Sequence, residues 1–325
     1  MDYEIIDCID AGTEFCPCHL SETGDCILCS QLQGKDFCDC TNWKGVCIYQ
    51  ESVWKGDLPK AERKDFLCKI YKKHYINENV IAFTILVKHK LAQELSHPGS
   101  FIFLRNPETN KFFDVPISIM DSDTEENRLK IIIELKGIKT KMLNKLNEND
   151  NIVVRGPFWN GALGLKNIYS SFDKVSLLIA RGIGIAPMIP IMKRLYSKGN
   201  KIIAIIDETD FSIDYFKNYF ELCNAKIIKA KLLNNGKLST ELKNLIDEYK
   251  NEIDLVYCAG PDILISNILE FIPKDIKTAC CNNAKMCCGE GICGTCSVRY
   301  KGHVVKKLCK VQIDPKYIFD GRRLI

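Results

Sequence analysis

The sequence predicts a multidomain chain: a small antiparallel β-barrel, then an α/β unit built on a parallel sheet, with a cysteine-rich segment at each end. Three observations predict it. Residues 80–155 break into short apolar runs separated by Pro, Gly, Asn and Asp, the pattern of a barrel of short strands. From Val175 onward, apolar β-branched runs alternate with helical patterns, as in a parallel sheet covered on both faces. Of 18 cysteines, eight lie within residues 8–47, seven within 280–309, and only Cys68, Cys223 and Cys258 lie between.

At 325 residues the chain exceeds one ordinary core, and with 46% hydrophobic residues it can bury several. A formal charge of +4 is too mild to call for a nucleic-acid partner. The opening stretch MDYEIIDCID is acidic and lacks the basic and apolar regions of a secretory signal, and no apolar run reaches membrane-spanning length. A cytoplasmic location is expected, with no membrane partner. In that reducing compartment clustered cysteines point to metal rather than to disulfides.

The elements follow in order. Residues 1–58 form the head, Cys8-x7-Cys16-x-Cys18-x7-Cys26-x2-Cys29-x8-Cys38-x-Cys40-x6-Cys47. A segment this short builds little core without metal or staples, so some of Cys16, Cys18, Cys26, Cys29, Cys38, Cys40 and Cys47 are candidate ligands. Cys26-x2-Cys29 fits half a zinc knuckle and thiolates also suit an iron–sulfur cluster, so both metals stay open. His19, next to Cys18, reads as a further ligand or, more simply, as solvent-facing, while Trp43 and Trp54 read as packing a small core or an interface. The barrel, residues 59–172, holds VIAFTILVKHK, SFIFLRNP, VPISIMD, LKIIIELKG and NIVVRGP, with one inserted helix, TKMLNKL. Residues 173–278 run strand, helix, strand: VSLLIA, APMIPIMKRLYS, KIIAIID, DYFKNYFELC, KIIKAKLL, TELKNLIDEYK, DLVYCAG and DILISNILEFI. Such sheets bind ligands at the carboxyl ends of their strands.

Residues 279–325 carry the most specific motif. Cys288-x4-Cys293-x2-Cys296, with Cys309 twelve residues later in sequence, is the ligand spacing of a plant-type [2Fe-2S] centre. Gly289, Gly291 and Gly294 allow the backbone to wrap such a cluster. Structural zinc is the competitor, although its cysteines usually come in paired knuckles. Upstream, ARGIGIAP (180–187) follows an apolar strand and opens a helix, where Gly182 and Gly184 suit a dinucleotide pyrophosphate or simply a tight turn. Gly260-Pro261 ends a later strand, either at a nicotinamide edge or as a turn before a helix.

The ordered series PGSFIFL, PISI, GIKTKML, RGPFWNG, GIGIAP, AGP and the terminal cysteine motif resembles the ferredoxin reductase superfamily over about residues 60–325. Within it the chain is similar to the electron-transfer subunit of NAD-dependent dihydroorotate dehydrogenase and to the small subunit of NADH-dependent reduced ferredoxin:NADP oxidoreductase. The resemblance implies a flavin-binding barrel, a nucleotide-binding α/β domain and a [2Fe-2S] segment. It places FAD on Val115, Pro116, Ile117 and Ser118, on Ile133, Glu134 and Leu135, and on Lys139 and Thr140. It places NAD(H) on Arg181, Gly182, Gly184, Ala186, Pro187, Gly260 and Pro261, and the cluster on Cys288, Cys293, Cys296 and Cys309. Cys288 makes the cluster site more like that of the dihydroorotate enzyme, since the other small subunit has Asp there.

Departures from the family pattern carry their own expectations. Val115 replaces an arginine that would face the FAD pyrophosphate, and Lys139, standing where the family has Gly, is expected to supply the missing cation. Ala180 and Arg181 replace two glycines of the nucleotide turn, so Arg181 either pairs with phosphate or blocks the pocket. Cys258 is displaced by one from the usual Cys-Gly-Pro. The acidic DETD (207–210) favours NAD over NADP.

The implied function is an electron-transfer flavoprotein subunit: flavin converts the hydride pair of NAD(H) into single electrons for the cluster. It needs no acid–base residue. The implied partner is a larger flavoprotein subunit related to the small glutamate synthase chain, or ferredoxin. Alternatives are a stand-alone NAD(P)H:ferredoxin-type reductase and a non-enzymatic metal-binding sensor or assembly protein that has lost nicotinamide binding. The head lies outside the resemblance, so a second iron–sulfur cluster or zinc there remains open.

Overall fold

The structure, a computed structural model, describes residues 6–40, 43–208, 212–300 and 304–319. Strands are numbered in chain order. The head begins with the two-residue β1 (Asp7–Cys8). A closed antiparallel barrel follows, made of β2 (Asp65–Asn77), β3 (Val80–Leu86), β4 (Phe101–Arg105), β5 (Val115–Asp123), β6 (Arg128–Glu134) and β7 (Asn151–Phe158), in the order β2-β3-β6-β5-β4-β7. Alternate side chains of these strands, among them Ile70, Ile81, Phe83, Ile102, Leu104, Ile131, Ile152 and Val154, point inward and fill the barrel. Closure removes the open sheet edges that would otherwise expose unpaired backbone.

After β8 (Ala162–Leu163) come the parallel strands β9 (Val175–Arg181), β10 (Lys201–Asp207) and β11 (Lys226–Lys229), a short hairpin of β12 (Leu233–Asn234) and β13 (Lys237–Leu238), then β14 (Ile253–Ala259) and β15 (Lys277–Cys281). The six-stranded sheet has the order β11-β10-β9-β14-β15-β8, with only the edge strand β8 antiparallel. β9 and β14 are central and almost wholly buried, which explains their unbroken apolar runs. The helix Ile185–Tyr196 packs beneath them on Ile185, Met188, Ile189, Met192 and Leu195, spaced three and four apart to make one apolar face. Its Pro187 stands in the first turn, where a missing N–H costs nothing. Two expected elements come out shorter. KIIKAKLL is a strand only over Lys226–Lys229, because Lys231 and Leu232 turn their N–H groups to Glu241 and Asp207. DYFKNYFELC divides into a 3-10 turn, Ile213–Phe216, and a helix, Lys217–Leu222.

The tail adds β16 (Ser297–Tyr300), β17 (Val304–Lys307) and β18 (Val311–Gln312). β18 pairs antiparallel with β1, so the two cysteine-rich ends of the chain are joined. A buried charge tetrad sits beside this seam. Arg63 donates to Asp10 at 2.7 Å, to Glu290 at 2.9 Å and to the Pro157 carbonyl, while Lys310 reaches Asp10 at 2.5 Å and Glu290 at 3.0 Å. All four side chains are at least nine-tenths buried. The Arg63 guanidinium also lies over the rings of Phe15 at 4.0 Å and Phe158 at 4.5 Å. Head, barrel and tail therefore meet at one neutral knot. Among the described residues no helix is long and apolar enough to cross a membrane.

Candidate functional site

Between the barrel and the parallel sheet lies a cleft of about 590 Å³, within the size range of cofactor sites. Its barrel side is Pro116, Ile117 and Ser118 of β5 with Ile132 and Glu134 of β6. Its sheet side is the turn after β9, with Arg181, Gly182, Gly184, Ala186 and Pro187, and the turn after β14, with Gly260 and Pro261. Both turns stand at carboxyl ends of central strands, the edge where open α/β sheets present backbone N–H groups to ligands.

The glycines there serve distinct ends. Gly182 has φ +56°, a left-handed turn that bends the chain from strand into helix. A Cβ at Gly184 would stand 2.7 Å from the carbonyl of Ala259, so this glycine is needed for the close approach of the two turns. Arg181 leans across the cleft rim toward Asp207, 3.6 Å away. Asp207 also accepts from the N–H of Leu232, and Glu208 from Ile213 and Lys229. These two acidic groups are thus held at the carboxyl end of β10; Thr209 and Asp210 of the same run lie outside the described residues.

Several expected cofactor residues stand elsewhere. Ile133 points into the barrel core, as its place one residue from Ile132 and Glu134 on a pleated strand requires. Leu135 packs against that core from its rim, and Thr140 bonds Gly137 to start the helix Ile138–Asn144. Val115 lies at the end of β5. Lys139 donates to the Asp114 carbonyl at 2.8 Å, which sets its ammonium next to Val115. Conversely, Cys281, Asn282 and Asn283 line the cleft although no motif marks them. Asn283 bonds the Gly260 carbonyl at 2.7 Å and Asp262 at 2.9 Å, pinning the turn after β14. Burial pushes the Cys281 thiol up to about 11, so it faces the cleft in neutral form. The signal available for these residues was topological: they end the strand beside β14. Cys258 is buried within β14, paired in register with Cys280, and lines no cleft.

The tail gathers its four motif cysteines in pairs. The Cys288 sulfur accepts from the N–H groups of Glu290 at 3.3 Å and Cys293 at 3.5 Å. Burial works against ionisation of Cys293, yet hydrogen bonds from the Thr295 hydroxyl and backbone, and from Cys288, bring it down to about 6. A hydrogen bond from Cys309 brings Cys296 down to about 7 despite burial, and the same bond, with burial, pushes Cys309 up. Two contacts result, Cys288 with Cys293 and Cys296 with Cys309. Among the described residues no three His, Cys, Asp or Glu side chains are spaced to hold a single metal ion. A two-iron centre does not need that, because four cysteines divide two to each iron. The pairs, the N–H groups directed at sulfur, and Gly289, Gly291 and Gly294 at φ +74°, +80° and +69° fit such a centre. Arg155 donates to the Cys288 carbonyl at 2.9 Å and so ties this loop to the barrel.

In the head all eight cysteines are free thiols, as are the remaining ten of the chain. Burial pushes Cys16 up to about 12, with Cys18 and Cys26 near enough to add to it. His19 bonds Glu22 at 2.7 Å and Glu62 at 3.2 Å. Trp43 and Trp54 do not pack a core: they are 57% and 73% exposed.

Residues 67–161 match the family described as the oxidoreductase FAD-binding domain, and this span takes in nearly the whole barrel. The barrel is an oxidoreductase FAD-binding domain. The chain built on this FAD-binding barrel is an oxidoreductase. It is 26% identical over 245 residues, 72% of this chain and 92% of the relative, to the electron transfer subunit of dihydroorotate dehydrogenase B (NAD(+)) of Bacillus cereus strain 03BB102, and equally to that of Bacillus mycoides strain KBAB4. In fold it is similar to a chain of the NADH-dependent reduced ferredoxin-NADP oxidoreductase, solved in work on flavin-based electron bifurcation. That likeness has a TM-score of 0.62 at 24% identity and covers 78% of this chain and 91% of the other. The fold is likewise similar to part of full-length CYP116B46 from Tepidiphilus thermophilus, with a TM-score of 0.51, 13% identity, and 78% and 41% coverage. The FAD-binding barrel with its parallel-sheet neighbour is therefore the ferredoxin reductase-like fold.

Proposed function

We propose that the protein carries electrons between NAD(H) and a partner protein, through FAD in the interdomain cleft and a [2Fe-2S] cluster on Cys288, Cys293, Cys296 and Cys309. The observation that carries this reading is the cleft itself. It sets the β5 segment of an FAD-binding barrel against two strand-end turns of a parallel sheet, so a flavin bound on one wall would face a nicotinamide bound on the other. FAD, when bound, supplies the conversion of a hydride pair into single electrons. The chain's own residues bind and orient. Pro116, Ile117, Ser118 and Glu134 form the flavin wall, and Gly182, Gly184, Ala186, Pro187, Gly260 and Pro261 the nicotinamide wall. Asn283 holds the second of those turns in place. Arg181, tethered to Asp207, offers a cation at the rim, and the acidic Asp207–Glu208 end of β10 favours NAD over NADP.

The division into head 1–58, barrel 59–172, nucleotide domain 173–278 and cluster segment 279–325 belongs to this proposal. So does a larger flavoprotein subunit as the partner, since the similar Bacillus proteins are named electron transfer subunits. A cytoplasmic site of action is proposed with it.

Anaerobic stopped-flow mixing tests the reading. NADH is expected to bleach the flavin of the wild type and of Cys296→Ser alike. Only the wild type is expected to keep the terminal iron and to pass electrons to a one-electron acceptor. Unbleached flavin would favour the sensor alternative, and equal acceptor reduction by both proteins would remove the cluster from the path. If Lys139, whose ammonium the Asp114 carbonyl holds beside Val115, supplies the cation for FAD, Lys139→Ala is expected to lose most of its FAD on gel filtration. Unchanged flavin occupancy would refute that role.

A further inference from the structure

The head's eight cysteines are divided by the fold into two sets of four. Cys8, Cys16, Cys18 and Cys26 line one small pocket; Cys29, Cys38, Cys40 and Cys47 line another. No cysteine is shared, whereas Leu28 and Ile48 line both pockets and form the wall between them. We propose that the head holds two separate iron–sulfur clusters, one ligated by Cys8, Cys16, Cys18 and Cys26 and the other by Cys29, Cys38, Cys40 and Cys47.

The partition bears on what spacing alone left open. Cys26-x2-Cys29 looks like half of a zinc knuckle, but a knuckle directs both sulfurs to one ion, and here the two cysteines line different pockets. Each Cys-x-Cys pair, by contrast, stays within one pocket. The Cys38 and Cys40 sulfurs are 3.6 Å apart. Among the described residues no three of these cysteines are spaced to hold one metal ion, which favours a cluster that shares its four cysteines among several irons. Backbone N–H groups point at sulfur in both sets, from Cys29 to Cys26 at 3.5 Å and from Gln50 to Cys47 at 3.4 Å. Four thiolates on a cluster also explain how about fifty residues with little core hold a fold.

The first set adjoins the tail. Cys8 is in β1, paired with β18 just beyond Cys309, and Leu20 of the same pocket lies 3.1 Å from where a Gly291 Cβ would be. Asp10, also lining that pocket, grips Lys310. The second set ends at the surface, where Cys38 and Cys40 are exposed. The centres therefore run in sequence from the terminal cysteines to the first set and then to the second, a path for single electrons to the head's outer face. This ordering rests on the terminal-cluster reading above; the partition does not.

The test uses full-length protein purified anaerobically. Iron, zinc and acid-labile sulfide are measured, with electron paramagnetic resonance spectra after dithionite, for the wild type, C16S/C18S, C38S/C40S and the quadruple variant. Each double variant is expected to lose about half of the iron and sulfide that the quadruple variant loses, leaving the other head signal intact. Because Cys38 and Cys40 are exposed, C38S/C40S leaves the packed side of the head untouched, and circular dichroism checks its fold. Loss of all head iron in either double variant would show one shared centre, and zinc in place of iron and sulfide would overturn the clusters. If C296S keeps its iron while the double variants lose theirs as expected, the terminal reading fails and the partition stands.

Discussion

Lys310→Met is expected to destabilise the protein by about 3–5 kcal/mol, the cost of leaving buried charge unpaired. In the wild type two cations and two carboxylates cancel within a pocket closed to water. Removing Lys310 leaves Asp10 and Glu290 sharing one guanidinium, and methionine fills the volume without supplying a charge. Urea unfolding at neutral pH measures the loss. The double variant Lys310→Met/Asp10→Asn should recover part of it, since a neutral amide beside an intact Arg63–Glu290 pair restores the balance. A loss below about 1 kcal/mol in the single variant would mean that the knot behaves like an exposed ion pair.

The pH dependence has a definite sign. Burial raises the pKa of Asp10 and Glu290, but Lys310 and Arg63 outweigh it, and both carboxylates end below their ordinary values. Their contribution is present above the unfolded carboxylate range near pH ~4 and lost as pH falls through the lower folded values. Lys310 ends above its ordinary value: burial lowers it, and Asp10 and Glu290 more than compensate. Its contribution is lost only on the alkaline side, as pH rises through that elevated value. Stability from the knot should thus be flat from about pH 5 to 10 and fall in acid.

Little of this knot is legible in the sequence. Lys310 reads as one more lysine in KKLCK, and its partners lie 300 and 20 residues away. The barrel from β3 onward and the sheet are legible because their signals are local: short apolar runs set off by Pro, Gly, Asn and Asp in β3–β7, and unbroken apolar runs in the central β9 and β14; β2, rich in lysine, carries neither signal. The turns after β9 and β14 carry glycines that mark them. The third side of the cleft, Cys281 to Asn283, carries no such mark, since what brings it there is the place of β15 beside β14. Ile133 shows a different limit: its side chain lies in the barrel core, so only its backbone can face the cleft. A motif is read as a block, while the pleat turns every second side chain inward. In the head, spacing shows that thiols are abundant, but the fold sorts them into sets, splitting the pair whose spacing had the most familiar look.

The terminal loop offers a sharper contrast between two glycines of one motif. Gly289 and Gly294 both have left-handed backbone, at φ +74° and +69°. Alanine at either position carries the steric cost of that conformation, about 1–2 kcal/mol. Their surroundings differ. A Cβ at Gly294 meets only the Ser297 hydroxyl at 3.8 Å, whereas one at Gly289 would stand 2.4 Å from the Phe158 ring. That ring cannot yield, being stacked on Phe101 at 5.1 Å, edge-on to Phe103 at 5.1 Å and covered by Arg63. Overpacking adds about 1–3 kcal/mol, so Gly289→Ala should cost about 2–5 kcal/mol against 1–2 for Gly294→Ala. The loop has one cheaper way out, which is to lift Cys288 off the barrel and break the Arg155 bond to its carbonyl. Gly289→Ala is therefore expected to lose terminal iron as well as stability, and Gly294→Ala to keep most of both. Iron content beside urea midpoints decides it: equal losses in the two variants would show that the Phe158 wall does not position the terminal cysteines.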